Sequence, residues 1–403
     1  MKVLQANKFF YARGGAERYF LDLTASLRDA GHEVVPFSMK HPENQTDPHD
    51  IYFVSEIDYN ASAGLSTPAL AARTIYNRET KSQLSALLKT FRPDVAHLHN
   101  IHHQLTGALI ESLHREGIPI VQTLHDYQWA CPVYTFVSHG EVCEACRGGR
   151  YLEAVRRKCH RGSRAKSLVA AMELMVGRVR GWADKVDRFL APSEFMAAKM
   201  IEHGLPKDRV VHQDYALPVM NYRPAEKKES FALYAGRLSH EKGIETLLQA
   251  LANHPTLHLK IAGTGPLEAH LRKQAETTAP GRVEFLGYLQ AEALQNQAAR
   301  AAFIVVPSEW YENQPFAVLE AFALSTPVLG ARIGGIPELV QPGITGELFE
   351  SGSVASLSEG LGRMMNNPHV PEMGRAARRF LEDRFRPEPH VLKMEQHYRE
   401  VAS

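Results

Sequence analysis

The sequence has little that would place the protein in a membrane or outside the cell. None of its apolar runs approaches the ~20 residues that a membrane-spanning helix needs. The first residues, Met1–Lys8, are too short and too polar for a secretory signal, and they predict an immediate first strand. The formal net charge is only +1, so composition gives no electrostatic argument for nucleic-acid binding. We therefore expect a cytoplasmic protein that does not bind nucleic acid.

Cysteine is scarce, and its distribution is narrow. The chain has four cysteines, all within one short segment: Cys131, Cys143, Cys146 and Cys159. This clustering argues for a reducing compartment and a local site rather than a disulfide framework. One C-x-x-C flanked by a cysteine on either side suits a structural zinc ion, which would stiffen an insertion without taking part in catalysis. An iron–sulfur cluster, two disulfides and unliganded thiols remain the alternatives.

The length of 403 residues predicts about two domains. The first half alternates apolar runs with amphipathic helical segments, an arrangement typical of a parallel, doubly wound sheet. Its predicted strands are Val3–Ala6, His32–Phe37, Asp94–His99, Ile118–His125 and Arg188–Ser193. No internal repeat or low-complexity tract interrupts this pattern.

The strand–helix rhythm breaks at a polar stretch, 217–228, which we interpret as a linker. It then resumes in the second half. The predicted strands there are Phe231–Gly236, Leu257–Ala262, Val283–Phe285, Phe303–Val306 and Pro327–Gly330. We therefore predict two Rossmann-like halves whose strands aim their carboxyl ends, where such sheets bind ligands, into one cleft.

Several short motifs carry candidate chemistry. Gly14-Gly15 precedes a helix and could bring backbone N–H groups to a phosphate, whereas the G-x-G-x-x-G fingerprint of NAD enzymes is absent. Glu312 and Glu320 bracket a loop that becomes a helix, and their eight-residue separation spans ~12 Å at helical rise. Surface acids would be the ordinary alternative for this pair.

Five motifs in this order resemble the retaining glycosyltransferases of family 4, which have the GT-B fold, over most of the chain. They are Gly14-Gly15-Ala16-Glu17, His125-Asp126, Gly236-Arg237 with Glu241-Lys242-Gly243, Gly263-Thr264-Gly265-Pro266, and the segment from Glu312 to Glu320. The resemblance implies a nucleotide diphosphate-sugar donor, retention at the anomeric carbon, and no cofactor or metal required for catalysis.

The resemblance also implies roles for individual residues. Glu312 would contact the transferred sugar and Glu320 the ribose hydroxyls, while Arg237 and Lys242 would hold the diphosphate. His125 would lie near the reacting centre, and these positions give a catalytic set of His125, Glu312, Arg237 and Lys242. The expected donor-binding set is Gly14, Gly15, Arg237, Lys242, Gly265, Glu312, Asn313, Gln314, Pro315, Phe316 and Glu320.

Three further features of the sequence bear on the site. Gln314-Pro315 stand where family members often carry Phe-Gly, and proline has no N–H to offer the sugar, so the donor sugar cannot be inferred. The run His97, His99, His102 and His103 could bind a metal, but we favour a polar cleft wall. Gly334-Gly335 before Glu338 fits a second phosphate-binding turn.

A basic, apolar segment follows the cysteines. Between Arg147 and Arg188 there are twelve Lys and Arg residues against four Asp and Glu residues, with apolar residues interleaved. This segment could contact a membrane that carries a lipid-linked acceptor. The alternative is a helix that packs on the first domain and exposes a solvated basic face.

We therefore predict a GT-B retaining glycosyltransferase. Residues 1–215 would bind the acceptor and carry an insertion at about 131–188, residues 216–386 would bind the donor, and a helix in 387–403 could cross back to the first domain. The acceptor would be a saccharide or lipid-linked saccharide used in surface polysaccharide or glycoconjugate biosynthesis, at the inner face of the membrane. A sugar-nucleotide epimerase of the same fold is the alternative.

Overall fold

A computed structural model describes residues 1–57 and 68–403 of the chain. The chain forms two compact units, each built on its own six-stranded parallel sheet. Unit 1 comprises residues 1–139, 143–215 and 387–403. Unit 2 comprises residues 140–142 and 216–386.

The sheet of unit 1 has the order β2-β1-β3-β4-β7-β8. Its strands are β1 (Lys2–Ala6), β2 (Glu33–Phe37), β3 (Val95–Leu98), β4 (Ile120–Thr123), β7 (Arg188–Ala191) and β8 (Val210–His212). Strands β3 and β4 are buried at every residue, as expected for parallel strands covered by helices on both faces. The chain also contains two two-residue strands, β5 (Val137–Ser138) and β6 (Glu141–Val142).

Among the described residues, eight α-helices belong to unit 1. They are α1 (Gly15–Asp29), α2 (Pro68–Ile75), α3 (Arg78–Thr90), α4 (Gly107–Arg115), α5 (Leu152–Arg156), α6 (Arg164–Val179), α7 (Glu194–Glu202) and α15 (Pro387–Ala402). Helix α15 comes from the end of the chain and packs within unit 1, where its Tyr398 side chain is buried beside His97 at the centre of the sheet. Unit 1 is therefore assembled from both ends of the sequence.

The sheet of unit 2 has the order β11-β10-β9-β12-β13-β14, which is the 3-2-1-4-5-6 order of a Rossmann fold. Its strands are β9 (Phe231–Ala235), β10 (His258–Ala262), β11 (Val283–Gly287), β12 (Phe303–Val306), β13 (Val328–Ala331) and β14 (Gly346–Phe349). Its helices are α8 (Ile244–Leu251), α9 (Glu268–Thr278), α10 (Ala291–Arg300), α11 (Phe316–Ala323), α12 (Ile336–Leu339), α13 (Val354–Asn366) and α14 (Val370–Arg384).

The predicted α/β class with two parallel sheets is confirmed, but some details differ. Strands β8 and β14 were not predicted, because both are short and one is half-exposed at two of its three positions. The predicted strand that reaches His125 ends earlier, at Thr123. The stretch interpreted as a linker includes a turn of 3₁₀ helix, Val219–Asn221. In the described part of the chain, no helix is both long and apolar enough to cross a bilayer.

Candidate active site

The topology of unit 2 places a ligand crevice between β9 and β12. These two strands are neighbours in the sheet, and the chain leaves them towards opposite sides because the strand order reverses there. In open α/β sheets, ligands bind outside the carboxyl ends of the strands at this switch point. The segments that follow the two strands, 236–243 and 307–315, contain Arg237, Lys242 and Glu312.

Two glycines allow close backbone contacts with the segment that carries Glu312. Gly243 has a φ of +65°, and a Cβ atom at this position would lie 1.9 Å from the Pro307 carbonyl oxygen. Gly334 has a φ of +60°, and its Cβ would lie 2.2 Å from the Glu312 carbonyl oxygen. Side chains are excluded at both positions by backbone conformation and by space. The predicted Gly334-Gly335 turn therefore packs on Glu312, and the Gly335 N–H donates to the Glu312 carbonyl at 2.8 Å.

Glu312 is the most constrained side chain of the crevice. Its Oε1 atom accepts hydrogen bonds from Lys242 Nζ at 2.7 Å, Ser308 Oγ at 2.7 Å and Trp310 Nε1 at 2.8 Å. Burial raises the pKa of this carboxyl, but the Lys242 ammonium and the hydrogen bonds outweigh burial and hold the pKa below its ordinary value. Glu312 is therefore a fixed anion, and its Oε2 atom accepts no hydrogen bond from the described residues.

The two predicted phosphate ligands differ in their surroundings. Lys242 ends a short 3₁₀ helix, and its ammonium lies 4.6 Å from the centre of the Trp310 ring. Arg237 is exposed, and its backbone carbonyl accepts a hydrogen bond from Tyr234 Oη at 2.8 Å. One cation is thus held against the fixed carboxylate, and the other extends from the loop into solvent.

The segment after Glu312 leads directly into helix α11. The Asn313 Oδ1 atom accepts the backbone N–H of Gln314 at 2.6 Å, and Pro315 is the N-cap of the helix that begins at Phe316. The positive end of the helix dipole therefore follows the predicted sugar-contacting residues. Gln314 and Pro315 are buried, which places the predicted departure from the family inside the protein rather than on an exposed surface.

Glu320 and Gly265 complete the predicted residues of unit 2. Glu320 lies on α11, is half-buried, and accepts a hydrogen bond from Tyr222 Oη at 3.2 Å. Gly265 packs on the Leu238 backbone so closely that a Cβ would lie 2.3 Å from the Leu238 carbonyl oxygen. The loop after β10 is thereby held against the loop that carries Arg237.

A second opening of unit 2 lies at the opposite end of its sheet and has a volume of about 980 Å³. Its lining includes Lys228, whose ammonium donates to the carbonyls of Ala299 and Leu324 near the ends of two helices. Burial lowers the pKa of Lys228 to about 8. Lys228 therefore has a structural role. The opening lies at the starts of the parallel strands, whereas such sheets bind ligands at the carboxyl ends of their strands, so we do not assign it as the active site.

The remaining predicted residues belong to unit 1. Gly14 is the N-cap of α1, and both Gly14 and Gly15 are exposed, so backbone N–H groups at this helix start are accessible. His125 lies two residues beyond β4 and is buried. Its Nδ1 atom is 2.8 Å from Tyr215 Oη, and its Nε2 atom is 2.9 Å from His99 Nδ1.

The ring of His125 is therefore uncharged and engaged at both nitrogens. Burial lowers the pKa of His125 to about 3, and the Lys8 ammonium contributes in the same direction. The family resemblance implies that His125 lies near the reacting centre, where its imidazole could hydrogen-bond a sugar hydroxyl. To do so it would have to release Tyr215 or His99.

The histidine run is buried rather than forming a cleft wall. His97 on β3 and His99 directly after it have ring centres 4.4 Å apart and belong to a polar network inside unit 1. His97 hydrogen-bonds Tyr398 at 2.7 Å, and His99 hydrogen-bonds Gln5 at 2.6 Å. For His97 and His99 the preference for a cleft wall was therefore wrong, because the returning helix α15 covers this part of the sheet.

His102 and His103 lie against a buried acid. Glu173 on α6 accepts the backbone N–H of His103 at 2.8 Å, and its carboxylate lies 2.5 Å from His103 Nδ1 and 3.6 Å from His102 Nδ1. Burial opposes ionisation of Glu173, but the two imidazoles outweigh it and lower the pKa of this carboxyl to about 2. The cluster fastens the insertion helix to the loop after β3.

The four cysteines lie in one neighbourhood as free thiols. Burial raises the pKa of Cys131 to about 11 and that of Cys146 to about 12, and the other thiols reinforce the shift of Cys146. Within residues 1–57 and 68–403, no group of three or more His, Cys, Asp or Glu side chains is arranged to hold a metal ion. The zinc site stays a prediction.

Several residues of the site were not assigned a role from the sequence. Ser308 and Trp310 bind Glu312, and Tyr222 binds Glu320. Ser308 and Trp310 stand in the same motif as Glu312, so the motif itself was the available signal. No sequence signal pointed to Tyr222 or Tyr215, because their partners, Glu320 and His125, lie about 100 residues away in the sequence.

Both halves of the chain match known families. Residues 13–212 match the family described as Glycosyltransferase Family 4, and residues 221–380 match Glycosyl transferases group 1. The glycogen synthase of Mycobacterium tuberculosis is 25% identical over 399 residues, which cover 92% of this chain and 87% of that protein.

Solved structures share the fold over the whole chain. Sucrose-phosphate synthase from Thermosynechococcus elongatus superposes with a TM-score of 0.72 at 19% identity, covering 99% of this chain and 98% of that one. Anabaena HepE in complex with UDP gives a TM-score of 0.71 at 17% identity, with full coverage of both chains. The predicted GT-B fold is confirmed, and this chain belongs to glycosyltransferase family 4.

Proposed function

We propose that this glycosyltransferase moves a sugar from a nucleotide diphosphate-sugar to a saccharide or lipid-linked saccharide with retention of anomeric configuration. The observation that carries the proposal is the Lys242–Glu312 ion pair at the switch point of a Rossmann-ordered sheet. A fixed anion beside a cation suits a ligand with sugar hydroxyls at one end and phosphates at the other. Anabaena HepE, which shares the fold, was solved with UDP and with UDP-glucose.

The phosphates would bind where positive charge converges. Lys242 donates one hydrogen bond to Glu312. Because an ammonium has three N–H donors, it can also donate to a phosphate oxygen. The exposed Arg237 guanidinium can bind the diphosphate in a bidentate manner. The N-terminus of α11 and the Gly14-Gly15 turn of unit 1 are further candidate phosphate ligands. Charge that builds on the leaving diphosphate would be stabilised by groups already in place.

The hydroxyl groups of the donor would bind the two carboxylates. We assign the Oε2 atom of Glu312 to a hydroxyl of the transferred sugar, because Oε1 is already saturated by three donors. We assign Glu320 to the ribose hydroxyls, with Tyr222 orienting its carboxylate. Gln314 and Pro315, between these acids, would set the choice of sugar.

In the proposed reaction, the acceptor oxygen bonds to the anomeric carbon on the face from which the diphosphate leaves. The carbon–oxygen bond to the diphosphate breaks with its electron pair on the leaving group, and a phosphate oxygen takes the acceptor proton. The pKa of His125 is lowered to about 3, which makes its imidazole a weak base, so its part would be to hydrogen-bond a sugar hydroxyl rather than to take up a proton.

Unit 1 would bind the acceptor, as its counterpart does in the family pattern. The pathway we propose is assembly of a surface polysaccharide or glycoconjugate in the cytoplasm, at the inner face of the membrane. Free thiols buried in unit 1 fit a reducing compartment. A lipid-linked acceptor would require the enzyme to work as a peripheral membrane protein.

The proposal is tested first with a panel of UDP-, GDP- and ADP-sugars in a thermal-shift assay. One donor class should raise the melting temperature, and NMR of the product formed with a saccharide acceptor should show the donor's anomeric configuration. Product with the inverted configuration would contradict retention. Rearrangement of the donor without any acceptor would instead identify an epimerase.

A further inference from the structure

Helix α6 exposes an apolar stripe along its outer face. Leu168, Met172, Met175 and Val179 recur at intervals of four, three and four residues, so they lie on one side of the helix. Their exposed fractions are 41%, 41%, 41% and 88%. Such a row of large apolar side chains in solvent marks an interaction surface rather than an ordinary solvated helix face.

The opposite side of α6 already has its partners inside unit 1. Its small residues face inwards, and a Cβ on Gly177 would lie 2.6 Å from the buried Trp182 ring. Glu173 on the same side binds His103. Because this inner face fixes the helix in the unit, the outer stripe cannot be buried by rotating α6.

The exposed charges on α6 itself have one sign. The single acid of α6, Glu173, is fully buried, whereas Arg164 and Arg178 are exposed on the same helix. Arg161, just before the helix, is also exposed. Neither Arg161 nor Arg164 forms a side-chain hydrogen bond or ion pair with the described residues. An anionic partner would therefore find both apolar contacts and cations on this face.

We propose that the outer face of α6 binds the surface of an anionic phospholipid bilayer. The helix would lie in the plane of the interface, with the stripe at the level of the first acyl carbons and Arg161 and Arg164 on lipid phosphates. A second copy of the chain is a poorer occupant, because pairing the same face of two copies would bring only cations together. This inference does not depend on the proposed reaction, and its test contains no sugar.

The experiment is co-sedimentation of the full chain with vesicles. We expect binding to phosphatidylcholine vesicles that contain phosphatidylglycerol, and at least about tenfold weaker binding to phosphatidylcholine alone. Binding should weaken further when salt is raised from about 0.1 M to about 0.5 M, because screening shortens the reach of the arginines. Absence of binding to the anionic vesicles overturns the proposal.

Variants test whether α6 is the surface involved. Met172→Gln with Met175→Gln removes apolar area at exposed positions and keeps good helix formers, so the fold should persist. It should weaken vesicle binding at least about tenfold, as should Arg161→Gln with Arg164→Gln. The matched control, Met220→Gln with Leu392→Gln, changes side chains that are 88% and 65% exposed elsewhere and should bind like the unmodified protein.

Two results would contradict the assignment. Equal vesicle binding by the Met172/Met175 variant and the unmodified chain would place the lipid contact elsewhere. Self-association in light scattering that the same variant abolishes would make the stripe a subunit interface instead.

Discussion

Lys242 and Glu312 form an ion pair of 2.7 Å between loops that follow two neighbouring strands, 70 residues apart in the sequence. Lys242→Met would leave the Glu312 carboxylate with two donors but no counter-ion. We expect the free energy of unfolding to fall by about 1–3 kcal/mol in urea titrations. The matched control is Lys260→Met, since Lys260 is equally exposed but pairs at 3.7 Å with the exposed Glu284. The Lys260 variant should lose less than about 1 kcal/mol of its free energy of unfolding. Equal losses in the two variants would show that the part-buried Lys242–Glu312 pair stabilises the fold no more than the Lys260–Glu284 pair does.

Arg237→Ala should separate activity from stability. The side chain is exposed, so the melting temperature should change little, while kcat/KM for sugar transfer should fall about 10²–10³-fold if Arg237 stabilises the leaving diphosphate. Arg379→Ala removes a comparably exposed arginine from α14 and should leave both quantities unchanged. Near-normal transfer by the Arg237 variant would remove this residue from the phosphate site.

Tyr215→Phe should disturb His125 without removing it. The variant loses the 2.8 Å hydrogen bond to Nδ1, which should cost about 1 kcal/mol of stability and raise KM for the donor more than it lowers kcat. Tyr288→Phe, at a position that is 71% exposed, is the control. A Tyr215 variant with unchanged KM would show that the orientation of His125 does not matter for donor binding.

Stability should fall as the pH drops below about 6.5. Burial lowers the pKa of both His125 and His390 to about 3, so the unfolded chain binds protons in this range that the folded chain does not. The contribution of the two neutral imidazoles to the free energy of unfolding is complete above the pKa that they have in the unfolded chain. It is lost progressively as the pH falls towards 3. Urea titrations at pH 7.5, 6 and 5 should give a free energy of unfolding that declines with pH. His390→Gln should flatten that slope, whereas His258→Gln, at an exposed strand position, should not.

The cysteine prediction is tested on the purified protein. If zinc is bound, metal analysis should give about one zinc per chain, and a chelator should lower the melting temperature and expose four titratable thiols. Cys143→Ser should reduce zinc content and leave the hydrogen bonds around Glu312 in unit 2 undisturbed. Metal-free protein with four reactive thiols would contradict the prediction.

The fold could be predicted from sequence because both central sheets are built from short apolar runs such as Phe303–Val306, which strand periodicity detects. The Lys242 and Glu312 motifs could also be found locally. Their direct contact could not, since it depends on Gly243 and Gly334 letting backbones approach within van der Waals distance. The same holds for the apolar stripe on α6, because a helical pattern does not reveal which of two apolar faces is buried.

The return of α15 to unit 1 has a consequence for how the protein is made. Tyr398 hydrogen-bonds His97, and the Gln5 amide is 3.4 Å from the same hydroxyl, so the interior of the first sheet includes a side chain from the last turns of the chain. Domains generally fold as units while synthesis proceeds from the N-terminus. Unit 1 is therefore completed only after all of unit 2 has been synthesised, and its buried histidines stay uncovered until α15 has emerged from the ribosome.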